Sequence, residues 1–137
     1  MKNIILLLST IVLLGCPPSN ENTLKEATEI YNRSLEIEKE IQPKLEELIQ
    51  ARNSINIQGR ALTAEEIQFT DEVNALAERL DSWHKTLPEI PQSGQQEIAD
   101  AEKPSASELL AKQKEAHDAI VAIRASLDSL QVPGVGF

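Results

Sequence analysis

Few side chains in this sequence are equipped for chemistry. It has one cysteine, Cys16, and two histidines, His84 and His117, set among 22 acidic residues. A thiolate is a strong nucleophile, and an imidazole is both an acid–base group and a metal ligand. In Asp81-Ser82-Trp83-His84 a carboxylate and an imidazole stand three apart, which puts them on one face of a helix. Di-iron bundles use such a carboxylate-x-x-His pair, but twice, with further glutamates projecting inward. Three positions before His117 stands Lys114, so the second pair is missing. Two histidines without a third ligand make a weak zinc signal, and the sequence implies neither a metal nor a cofactor. Exposure or a hydrogen bond on a helix surface accounts for both imidazoles.

The carboxylates lead no further. Glu26, Glu29, Glu36, Glu40 and Glu47, with Arg33 and Lys44 interspersed, form a charged stripe. The 29–33 and 40–44 pairs have the acid-first order that favours a helix. Carboxylates do acid–base work where a cleft shifts their pKa values. A stripe beside an apolar seam reads instead as a solvated face. There is no glycine-rich phosphate loop and no Gly-x-Ser-x-Gly elbow. No catalytic residue is assigned, and a noncatalytic protein is expected.

Cys16 has a more specific setting. Lys2 precedes an aliphatic run from Ile4 to Leu14. At 1.5 Å per residue that run makes roughly 17 Å of helix, against a hydrocarbon core of about 30 Å. It is too short to span, and its charge, length and small final residue match a secretory signal peptide. Leu13-Leu14-Gly15-Cys16 resembles the lipobox of bacterial lipoproteins. The resemblance implies that the Cys16 thiol receives a diacylglycerol, that Gly15 admits the peptidase, and that Cys16 becomes the mature N-terminus. A lone exported thiol would be an oxidation liability, which acylation removes. One acyl chain binds a bilayer marginally, whereas two or more hold firmly. The expected divisions are a signal peptide (1–15), a lipidated cysteine with a short tether (16–22) and a helical domain (23–137). Pro17 lacks the acidity associated with inner-membrane retention in enterobacteria, so the expected address is the outer membrane of a diderm bacterium.

Loss of residues 1–15 removes one charge, Lys2, and takes the net charge from −9 to −10. Such a surface repels nucleic acid and anionic headgroups. With one tryptophan, one tyrosine and two phenylalanines there is no aromatic ladder for stacking bases either. Nucleic acid is excluded as a partner.

The elements that must position these residues are helices. From Thr23 to about Gln58, Leu24, Ala27, Tyr31, Ser34, Ile41, Leu45, Leu48 and Ile55 keep steps of three and four, with Glu38 and Arg52 as misfits. Leu35, Ile37 and Ile49 widen the apolar face. Pro43 predicts a kink near Ile41 or two abutting helices, and Gly59 a left-handed cap. Thr63-Ala64-Glu65-Glu66 is a capping box, with Leu62 and Ile67 at the positions of a hydrophobic staple. Phe69, Val73, Leu76, Leu80, Trp83 and Leu87 then run in 4-3 spacing until Pro88. Residues 88–104 lack a period and read as a mobile loop. Ser105-Ala106-Ser107-Glu108 opens a third helix, whose seam of Leu109, Ala116, Ile120, Ile123, Leu127 and Leu130 is interrupted at Gln113.

Three amphipathic helices without strand-like alternation predict an all-α fold, a small antiparallel three-helix bundle. The same seams suit an oligomeric coiled coil, but Gly59 and the proline-bearing breaks favour a folded-back monomer. The length of the 88–104 loop leaves the direction of the third helix open.

Ile37-Glu38-Lys39-Glu40-Ile41-Gln42-Pro43-Lys44-Leu45, Leu80-Asp81-Ser82-Trp83-His84-Lys85 and the final Lys/Glu/Ala/Ile helix resemble a group of small Bacteroidetes lipoproteins labelled "viral A-type inclusion protein". The group tends to carry methionines around the tryptophan, which this sequence lacks, and no functional residue carries over from it. The expected function is a membrane-anchored helical scaffold or partner-binding module of the cell envelope. Its partners are the bilayer, through acylated Cys16, and an envelope protein. Trp83, on the seam at a helix end, is a core anchor or the lining of a partner groove. The rival reading is a carrier that holds a small apolar ligand between the helices.

Overall fold

A computed structural model describes residues 20–91 and 104–134. The signal run, Cys16, most of the 88–104 loop and the tail Val135-Gly136-Phe137 lie outside the described residues. The described residues form three helices: α1 (Asn20–Asn56), α2 (Ala64–Thr86) and α3 (Ala106–Ser129). They pack as a three-helix bundle, and no helix among them is long and apolar enough to cross a membrane. α1 starts at Asn20, so the end of the expected tether is helical.

The helix boundaries follow local chemistry. Both capping boxes are complete. The Thr63 hydroxyl accepts from the Glu66 amide while the Glu66 carboxylate accepts from the Thr63 amide, and Ser105 and Glu108 repeat the exchange. Each satisfies two amides that the first turn leaves free. Leu62 packs on the core, but Ile67 stays half exposed at 49%. Gly59, at φ 67°, takes the left-handed conformation expected of it.

Pro43 does not divide α1, which is one helix of 37 residues. Its ring lies on the exposed side, as does Lys39, whose carbonyl loses its helical donor and can turn to water. Ile41 and Leu45 on the opposite side are buried. Packing on the core outweighs the local penalty and keeps the helix whole.

The direction of each helix can be read from its contacts. Glu38 meets His84 and Arg52 meets Asn74, so α2 runs antiparallel to α1. Trp83 meets Ala116 and, just beyond α2, Pro88 meets Gln113, so α3 runs antiparallel to α2. Between α1 and α3 the numbers rise together: Glu26 with Lys114, Ser34 with His117, Glu40 with Arg124, Lys44 with Asp128. Consecutive helices are antiparallel, and α3 returns parallel to α1. The α1–α3 interface is the most extensive of the three.

The core comprises Ile37, Ile41, Leu45, Leu48 and Ile55 of α1, Phe69, Val73, Leu76, Leu80 and Trp83 of α2, and Ile120, Ile123 and Leu127 of α3. The seam is narrower than the sequence predicts at its ends. Leu24 is 37% exposed, and Tyr31, Leu87, Ala116 and Leu130 are only partly covered. Two residues that break the apolar pattern, Glu38 and Gln113, are buried, so neither interrupts the seam.

Candidate functional site

The chemically capable side chains gather where the end of α2 meets the middle of α1. Ser34 and Glu38 lie one turn apart on α1. His117 reaches Ser34 from α3, with Nδ1 3.1 Å from Oγ, and His84 reaches Glu38 from α2, with Nδ1 2.9 Å from Oε1. The two histidines therefore contact successive turns of α1, each engaged with a different residue. Asp81 turns away from His84 to bond Lys85 at 2.6 Å. The carboxylate-x-x-His pair is split between two unrelated contacts. Among the described residues no three His, Cys, Asp or Glu side chains are grouped to hold a metal.

The Ser34–His117 contact has the composition of a nucleophile–base pair, but its geometry is wrong for one. The single hydroxyl proton of Ser34 goes to the Ile30 carbonyl at 2.9 Å. His117 Nδ1 is then the donor to Ser34, the reverse of what an activated serine needs. Ser34 is also fully buried, closed to a substrate. The pair tethers α3 to α1.

Glu38 is a buried carboxylate whose oxygen meets an exposed imidazole, so it is hydrogen-bonded at the boundary of the bundle. Gln113 is satisfied on one side: its Nε2 donates to the Pro88 carbonyl at 2.6 Å, while its Oε1 has no partner among the described residues. Both sit on the 3–4 spacing of the apolar seam, the one signal that marked them in the sequence. The bonds themselves had no local signature.

Trp83 is 5% exposed, and its indole N–H donates to the Ala116 carbonyl at 2.7 Å. This is a core anchor with its polar tip satisfied. Beside it an open trough of about 780 Å³ runs between α2 and α3, edged by Arg79, Ser82, Thr86, Lys112 and Glu115. Trp83, Leu109 and Ile123 in its lining are almost covered by neighbours, while Pro88, Pro104, Ala116 and Ala119 leave apolar surface open along it.

The charged stripe of α1 pairs with α3 and not along itself. Lys44 bonds Asp128 at 2.6 Å, Lys114 bonds Glu26 at 2.8 Å, and Arg124 approaches Glu40 at 3.5 Å. The expected 29–33 and 40–44 pairs do not form. Exposed pairs of this kind are worth about 0–1 kcal/mol each, so they mark the register more than they hold it.

The strongest electrostatic arrangement lies at the α1–α2 turn. Arg60 forks onto Glu66 with contacts of 2.5 and 2.9 Å. That hydrogen bonding, joined by the Thr63 amide, pushes the Glu66 carboxyl down to about 2. The same fork raises Arg60. At the start of α3 the Ser105 amide and hydroxyl lower Glu108. Both carboxylates serve as caps. Comparison with protein-family profiles, curated proteins and solved structures finds no match to this chain.

Proposed function

We propose that this chain is a bacterial lipoprotein, anchored through acylated Cys16, whose helical domain is a noncatalytic scaffold or partner-binding module of the cell envelope. The observation that carries the reading is Leu13-Leu14-Gly15-Cys16, which closes a short aliphatic run with the only cysteine of the chain. A helix that starts at Asn20 leaves three residues between the lipid attachment and the domain. At about 3.5 Å per extended residue such a leash holds the end of the bundle close to the headgroups. The outer membrane of a diderm bacterium is the proposed address, and the resemblance to small Bacteroidetes lipoproteins agrees with it.

Two features support a module over an enzyme or an apolar carrier. The histidines are spent on contacts between helices, one of them with a serine whose proton is committed elsewhere. In the trough beside Trp83 the large apolar side chains Trp83, Leu109 and Ile123 are covered, whereas a carrier needs such side chains open to ligand.

Metabolic labelling with an alkyne-bearing palmitate tests the anchor. The wild-type chain should take the label and gain a blocked N-terminus at Cys16, while Cys16→Ser accumulates as unlabelled precursor. A wild-type protein found by mass spectrometry to be unlipidated and cut elsewhere would overturn the reading.

A further inference from the structure

The domain is long, and the proposed anchor holds it at one end. α1 runs unbroken for 37 residues, about 55 Å at 1.5 Å per residue. Its start and that of α3 share one end of the bundle, and the α1–α2 turn closes the other. The short leash keeps Asn20 beside the headgroups, so the bundle either lies along the bilayer or extends away from it.

A helical surface lies on a bilayer through apolar side chains that enter it or through cations that meet anionic headgroups. The long sides of this bundle offer neither. Among the described residues the large apolar side chains left exposed are Leu24, at the tethered end, and Ile57 and Ile67, at the α1–α2 turn. The open apolar surface of the trough between α2 and α3 belongs to alanines and prolines, with Glu89 and Glu115 in the same lining. Each helix carries more carboxylates than cations: eight to five on α1, six to two on α2 and four to three on α3. Lys44, Lys114 and Arg124 already pair with Asp128, Glu26 and Glu40. Ile57 and Ile67 share their end with exposed Glu65, Asp71 and Glu72, which anionic headgroups repel.

We propose that the domain is a stand-off: the lipid alone holds it, its sides stay clear of the bilayer, and the α1–α2 turn is presented up to about 55 Å beyond the tethered end. The proposal rests on the lipid-anchor reading and adds to it where an envelope partner is met, in the aqueous space beyond the headgroups.

The test uses the full mature chain, lipidated in its own cells, purified and reconstituted in vesicles of phosphatidylethanolamine and phosphatidylglycerol. Acylation blocks Cys16, so Lys25→Cys, Ala119→Cys and Asn56→Cys each take one fluorophore, and acceptor-labelled headgroups read its distance from the bilayer. Energy transfer should fall in the order 25, 119, 56. Glu29→Lys, Glu36→Lys and Glu47→Lys together make one exposed face of α1 basic and should lay the bundle down. Transfer from position 56 then rises to that from position 25 and falls again in high salt. Circular dichroism of the triple variant shows that its helices persist. Equal transfer from the three positions of the otherwise native chain, or the highest from position 56, overturns the proposal but keeps the anchor, because the chain still floats with the vesicles. A triple variant with unchanged transfer from position 56 also overturns it, since charge then does not hold the sides off. A chain that does not float with the vesicles removes the anchor and the proposal together.

Discussion

Beside α2, α1 buries large aliphatic residues, Ile41, Leu45, Leu48 and Ile55; beyond the end of α2 it buries Thr23, Ala27 and Ser34. The facing half of α3 follows suit, with Gln113 buried next to Leu109, and neither Ala27 nor Leu109 belongs to the main core. The number of helices that meet explains the contrast. Three helices enclose a volume that only large side chains fill at native density. Two helices share one line of contact, where small residues allow close approach and buried polar groups take partners nearby, as Ser34 does with His117 and Gln113 with the Pro88 carbonyl. One helix thus obeys two packing rules along its length. The change falls at Ser34 and Glu38, where both histidines attach.

The largest expected effect lies in the three-helix part. Leu127 is fully buried there, and truncating such a leucine typically costs about 2–5 kcal/mol through lost burial and a residual cavity. Against a total stability of about 5–15 kcal/mol, Leu127→Ala should visibly lower the melting temperature of residues 19–137 expressed alone. A melt indistinguishable from wild type would place the core elsewhere. In the two-helix part the sign of the size effect reverses. Ala27 has no exposed surface, so Ala27→Leu should overpack the α1–α3 seam at a cost of about 1–3 kcal/mol, read by urea unfolding. If the added bulk stabilises the protein, α1 and α3 do not approach as closely as described.

A smaller effect depends on pH. The Glu66 carboxyl stands at about 2 in the folded protein against a usual 4.5, because Arg60 and the Thr63 amide bind its charged form. The unfolded chain therefore takes up this proton first as pH falls. The contribution of Glu66 is complete above about pH 5 and is lost between there and about pH 2. Glu66→Gln should flatten the melting temperature over that window, and an unchanged slope would remove Glu66 as its source. The smallest effect is expected at Glu78, exposed on α2, where Glu78→Gln should shift stability by no more than about 0.5 kcal/mol in the same melts. A loss as large as that of Leu127→Ala would mean that the seam of α2 is misplaced.

Much of this architecture is legible in short stretches of sequence. Thr63-Glu66 and Ser105-Glu108 announce two helix starts, because a capping box is a chemical exchange completed within four residues. The spacing of Phe69, Val73, Leu76, Leu80 and Trp83 identifies the buried side of α2, because helical period alone sets which side chains share a face. The candidate site was less legible. His84 and His117 were recognisable as capable groups, but their contacts with Glu38 and Ser34 join residues 46 and 83 positions apart.

By itself the sequence determined the helical character of the described chain, the starts of α2 and α3 and most of the buried faces, since these follow from interactions within a turn or two. Only the tertiary structure decided that Pro43 leaves α1 whole, that α3 lies parallel to α1, and that Glu38 and Gln113 are buried with partners. Each of those outcomes depends on which surfaces meet: the exposed side left to the proline ring, the volume left between helices, and an imidazole or a carbonyl brought within 3 Å by another segment. Local spacing carries no information about such meetings, because the energy that settles them is that of burial and hydrogen bonding between distant parts of the chain.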